Sequence, residues 1–153
     1  MMVALLAVMF VGQDPGVKLE PLKFDVAALK AGKLIELKVT EDGATVTYKG
    51  LPLRDLLTPV LEEKTDQQAR HELAAAVLLM EAADDYRAAY SAVAVAMDKE
   101  GERYFLAFEK NGRPLPVNSG PAQVIIPKDP HRVRCVMMVT GAYLVRLAKP
   151  ASK

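Results

Sequence analysis

Residues 34–57 read Leu34-Ile35-Glu36-Leu37-Lys38-Val39-Thr40-Glu41-Asp42-Gly43-Ala44-Thr45-Val46-Thr47-Tyr48-Lys49-Gly50-Leu51-Pro52-Leu53-Arg54-Asp55-Leu56-Leu57. Two strand-like runs, Leu34 to Val39 and Ala44 to Tyr48, flank Glu41-Asp42-Gly43. Asp-Gly between such runs predicts a hairpin, because glycine takes the positive φ that a tight turn requires. After Gly50 the pattern changes. Pro52 opens a short helix that sets Leu53, Leu56 and Leu57 on one face.

Outward from this stretch the same vocabulary recurs. Towards the N-terminus, Phe24 to Lys30 predicts a short helix with Asp25 as its N-cap and Gly32 as its stop. Towards the C-terminus, Glu62 to Glu72 is polar without an apolar face and reads as a linker or surface loop. Ala74 to Met80 suits a buried strand, with a helix as the alternative, and Ala92 to Met97 a short helical turn. Arg103 to Phe108 reads as a strand turned by Asn111-Gly112, and Val124-Ile125-Ile126 lies between Pro121 and Pro127. Val133 to Val139 and Ala142 to Leu147 read as closing strands. The fold class expected is α+β, a single domain over residues 17–148 of mixed, mainly short strands with a few short helices.

The 153 residues suit one domain with its own core. Lysine plus arginine number 20 against 19 aspartate plus glutamate, intermixed, so no global field recruits nucleic acid or an anionic membrane. One cysteine excludes an internal disulfide, Cys-rich zinc modules and iron–sulfur clusters. Met1 to Gly12 is apolar throughout, too short to span a bilayer but of the size of an export-signal core, and residues 1–13 are set apart on that ground. It lacks a basic start and a small-x-small cleavage site, so a buried N-terminal strand or helix is the alternative. The localisation expected with a signal is secreted or periplasmic, and otherwise cytoplasmic, with no integral membrane span.

Four phrases in order carry a family resemblance. They are Tyr48-Lys49-Gly50-Leu51-Pro52-Leu53-Arg54-Asp55-Leu56-Leu57, Ala83-Asp84-Asp85-Tyr86, Leu106-Ala107-Phe108 with Asn111-Gly112-Arg113-Pro114-Leu115, and Gly120-Pro121-Ala122-Gln123-Val124-Ile125-Ile126-Pro127. Together they resemble the molybdopterin-binding domain of the sulfite-oxidase-like oxidoreductases. The resemblance implies a sulfite-oxidase-type molybdopterin-binding fold, with strands and loops around a molybdenum cofactor that a cysteine thiolate ligates. The phrase that would hold this cysteine falls on Lys38-Val39-Thr40, so an ammonium stands where the thiolate is expected. The arginine that the resemblance assigns to an anionic substrate falls on Gln123, and Asp85 replaces a glycine. Aspartate tolerates positive φ better than most residues.

On that resemblance Lys38, Asp84, Tyr86 and Gln123 are the pocket candidates, with no catalytic residue and no metal ligand assigned. Each has a plainer reading. Lys38 sits in an alternating strand and suits a solvated outer face; Asp84 and Asp85 suit a turn that satisfies backbone amides. Tyr86 and Tyr90 are equally suited to packing. His71 and His131 lie in polar stretches without ligand spacing, and Cys135 reads as an inert packed thiol. Arg132 and Arg134, read as alternating on one strand face, can meet an anion together with Lys128.

The function expected is a small oxidoreductase-family protein with a degenerate site that binds a small anionic ligand or a protein partner. No bound cofactor is expected in that reading. The alternatives are an active oxidoreductase that carries molybdopterin without the usual cysteine, and an interaction module that uses exposed sheet edges.

Overall fold

A computed structural model describes residues 16–129 and 132–148. The apolar stretch Met1–Gly12 and His131 lie outside the described residues. In chain order, β1 (Val17–Pro21) leads to α1 (Val26–Lys30), then to β2 (Ile35–Glu41) and β3 (Ala44–Pro52). Asp25 caps α1 as predicted, its Oδ1 accepting from the amides of Ala27 at 3.0 Å and Ala28 at 3.4 Å. The predicted hairpin forms, with Val39 opposite Val46 and Glu41 opposite Ala44. Asp42 and Gly43 both take positive φ, 50° and 80°, the pattern of a tight primed turn. Beyond Pro52 the helical segment starts as a 3₁₀ turn, Leu53–Leu57, and passes into α2 (Thr58–Leu61); Leu53, Leu56 and Leu57 are buried as their spacing predicts.

The next segment corrects the sequence reading. The polar stretch 62–72 reads as a linker or loop, but α3 (Asp66–Leu73) is a helix. Thr65 and Gln68 form a reciprocal capping box, Gln68 N to Thr65 Oγ1 at 3.2 Å and Thr65 N to Gln68 Oε1 at 2.8 Å. Its buried stripe is only Ala69 and Leu73, four residues apart, so a window that stops at Glu72 misses the apolar face.

The chain then makes β4 (Ala76–Ala82), β5 (Arg87–Ser91), α4 (Ala92–Met97), β6 (Phe105–Lys110), β7 (Arg113–Pro114), β8 (Gln123–Ile125) and β9 (Val139–Leu147). A second correction concerns residues 133–138, which form turns and irregular chain; only Val139 of the predicted Val133 to Val139 strand belongs to one. Met138 takes φ 51°, which breaks an extended run. Its amide bonds Ser119 O at 2.9 Å, and Val136 O accepts from Val124 N at 2.8 Å, so the segment is tied to residues 119–124 without a regular ladder.

Two antiparallel sheets result among the described residues. One has the order β1-β9-β4-β5; the other runs β2-β3-β6-β7, with β8 also on β6. β6 is buried on both faces. Leu106 and Phe108 join the main core with Leu57, Leu73, Leu78 and Leu144, whereas Phe105 and Ala107 join a smaller cluster with Val39, Val46, Tyr48 and Ile125. The smaller cluster floors the site described next. No helix among the described residues is long and apolar enough to cross a membrane.

Candidate functional site

Antiparallel pairing puts Glu41 on the hairpin face that carries Val39, Val46 and Tyr48, because directly opposed residues share a face. That face borders a cavity of about 520 Å³, closed on the other side by residues of the 116–119 turn, β8 and the segments 125–129 and 132–137. Val39, Thr40, Glu41 and Tyr48 contribute from the hairpin, Lys110 from the end of β6, and Gln123, Lys128, Arg132 and Cys135 from the later chain.

Glu41 organises the charges. Its side chain is 14% exposed; Tyr48 Oη donates to Oε1, while Lys110 Nζ lies 3.1 Å and Arg132 Nη2 3.9 Å from Oε2. Lys110 also stands 5.5 Å from the centre of the Tyr48 ring. Burial pushes the Glu41 carboxyl up, but the hydrogen bonds from Tyr48 and Lys110, with the charges of Lys110 and Arg132, outweigh it and hold the group below its ordinary value of 4.5. Burial, reinforced by the same hydrogen bond to Glu41, raises the Tyr48 phenol, which stays a donor. Burial likewise raises the Cys135 thiol, against a backbone hydrogen bond from Ile126 that lowers it. Cys135 is therefore protonated at neutral pH.

A pH dependence follows. The lowered carboxyl contributes stability above its unfolded pKa and loses it as pH falls through the folded one. Glu41→Gln is expected to cost about 1.5–3 kcal/mol at pH 7, the scale of a hydrogen bond to a charged group. Thermal melts of the two proteins should converge on acidification below pH 4.5. A gap independent of pH would refute the role given to the charge.

Two tyrosines on the other sheet hold the cavity's far wall. Tyr90 Oη donates to Arg134 O and Tyr86 Oη to Val133 O. They lie on the extended chain of β5 and just before it, and both hydroxyls hold the segment that carries Arg132 and Cys135. Arg134 turns to Asp129 at 3.0 Å, so only Lys128 and Arg132 of the predicted basic trio line the cavity.

Of the four pocket candidates from the sequence, Gln123 lines the cavity. Lys38 is exposed on β2 opposite Thr47 and is not among the lining residues. Asp84 and Tyr86 belong to the β4–β5 turn, where Asp84 Oδ1 accepts from Tyr86 N at 3.1 Å. Asp85 has φ 65°, the conformation that the glycine in the family phrase anticipates. His71 is exposed on α3, not in a loop. Among the described residues no group of three or more His, Cys, Asp and Glu is arranged to hold a metal ion.

Glu41 and Tyr48 escaped the sequence reading, although one signal was available. In strict alternation, Val39, Glu41, Val46 and Tyr48 share one face, and a single acid on an apolar face needs partners. Lys110 carried no such signal, because it reaches Glu41 only through the pairing of β3 with β6.

The family model described as the oxidoreductase molybdopterin binding domain matches residues 24–139. No curated protein matches the chain.

Proposed function

This chain belongs to the oxidoreductase molybdopterin-binding domain family, and on that premise we propose that it binds a small anionic ligand in the cavity and does no redox chemistry there. The observation that carries this reading is the donor set. A molybdenum centre of the family type needs a thiolate. The residue in the expected cysteine phrase is Lys38, an exposed ammonium outside the cavity lining. The only thiol that lines the cavity, Cys135, comes from the 132–137 segment and not from the expected phrase on β2. The position where the family type expects its thiolate therefore does not fit a thiolate-held molybdenum. The cavity residues suit an anion, with Lys110, Lys128 and Arg132 on the wall and the hydrogen-bonding groups of Ser119 and Gln123 beside them; of the acids on the same wall, Glu41 is paired with Lys110 and Arg132, Asp129 with Arg134, and Asp42 is exposed on the hairpin turn.

One observation favours a second reading. Cys135 is far from Lys38 in sequence, yet it shares a cavity with Val39 and Thr40, the residues that follow Lys38. An active enzyme that uses this thiol as a substitute ligand would exploit that neighbourhood. Metal analysis of protein made in a host that synthesises the cofactor separates the two. The binding role predicts no stoichiometric molybdenum in the wild type, and none gained by Lys38→Cys, since position 38 is off the cavity wall. Stoichiometric metal that disappears in Cys135→Ser would establish the enzyme reading instead.

A further inference from the structure

The cavity walls are of two kinds. One part is charged, with Lys110, Lys128 and Arg132 alongside the carboxylates Glu41, Asp42 and Asp129. Among them a carboxylate is already seated, because the Oε2 of Glu41 lies between Lys110 and Arg132. The 3.9 Å contact to Arg132 leaves most of its planar fork unengaged, and its side chain is 57% exposed. Lys128 is exposed and forms no ion pair among the described residues. The acid next to it, Asp129, is held by Arg134. The other part is apolar. Ile125 and Ile126 are buried in the floor, and Met137, 49% exposed, stands at the rim.

A bare inorganic oxyanion would use the cations and leave the apolar wall wet. A neutral apolar molecule would use the wall and leave Arg132 and Lys128 unmatched. Resting on the binding role proposed above, we infer that the cavity takes a small amphipathic carboxylate. Its head lies on Arg132 and Lys128, and its hydrocarbon body runs along Ile126 and Ile125 to Met137. Arginine matches a carboxylate with two parallel N–H donors, and the single 3.9 Å contact of Arg132 with Glu41 leaves that fork available.

The test is an NMR titration at fixed pH and ionic strength with acetate, butyrate, hexanoate, 1-hexanol and inorganic phosphate. Affinity is expected to rise roughly three- to fourfold per added methylene, the scale of burying one CH₂. Phosphate and 1-hexanol should each bind more weakly than hexanoate. Arg132→Gln should weaken every carboxylate roughly tenfold while leaving the chain-length gradient intact. Met137→Ser, at a half-exposed position that tolerates the change, should flatten the gradient. Phosphate or 1-hexanol binding as tightly as hexanoate, or affinity indifferent to chain length, would overturn the inference. Molybdenum is measured on the same sample. Metal-loaded protein contradicts the binding role itself, whereas metal-free protein that binds none of the acids overturns the ligand class alone.

Discussion

Gly50→Ala is expected to remove about 3 kcal/mol or more of stability, at or beyond the top of the usual range for overpacking. Gly50 lies where the register of β3 against β6 shifts, between Lys49 and Gly50. A Cβ there would stand 1.9 Å from Leu106 O, 2.8 Å from Leu106 C and 2.9 Å from Ala107 Cα. All three atoms are backbone. No rotamer change relieves the clash, so the two strands must part and break their ladder at the centre of the sheet. Since a domain of this size is stable by only about 5–15 kcal/mol, the variant should lose much of its folded population. Gly43→Ala is the comparison. Gly43 has φ 80° with nothing within 4 Å of its added Cβ, so that change costs only the backbone preference, about 1–2 kcal/mol. Urea denaturation of both variants checks the order. Equal losses would mean that the close approach of β3 to β6 is not as described.

Phe105→Ala should cost about 3–5 kcal/mol, the range for emptying a fully buried aromatic site. Phe105 is fully buried in the smaller cluster, against Val39, Val46, Tyr48, Ala107 and Ile125. Its partners are strands of one hydrogen-bonded sheet, since Phe105 itself pairs with Pro52 on β3 and Ile125 on β8. Such a frame cannot close over the void without breaking ladder bonds, which puts the loss towards the upper end. The void would also open beneath the site, because Val39, Tyr48 and Ile125 line the cavity as well. Phe105→Leu should recover part of the loss. A midpoint shift that corresponds, at unchanged denaturant slope, to less than about 1 kcal/mol for Phe105→Ala would show that the cluster is not packed as described.

How far the sequence could be read depended on the range of each interaction. Asp25 and Asp42-Gly43 act on their immediate neighbours, and the positive φ of Asn111 and Gly112 is equally local, although the Asn111 side chain also accepts from the distant Thr47 amide. The capping box of Thr65 and Gln68 was equally local and legible, and α3 was obscured only because its second apolar contact, Leu73, lies one residue past the polar stretch. Residues 133–138 were of another kind. Their apolar, β-branched composition favours a strand, but the hydroxyls of Tyr86 and Tyr90 and the peptides of Ser119 and Val124 hold them otherwise, from positions remote in the chain.

Residue type and short spacing were enough for the family, the hairpin with its Pro-initiated turn, and the positive-φ demand met by Asp85. The sequence also located Lys38 in the phrase where a thiolate is expected. What shares the cavity was set by long-range packing. Lys38 is exposed on the strand, Cys135 is brought to the wall, and Glu41 gathers Tyr48, Lys110 and Arg132. Strand alternation can assign a face, but which distant groups meet it depends on the pairing of β3 with β6 and β6 with β8, and on the tyrosines that hold the 132–137 segment.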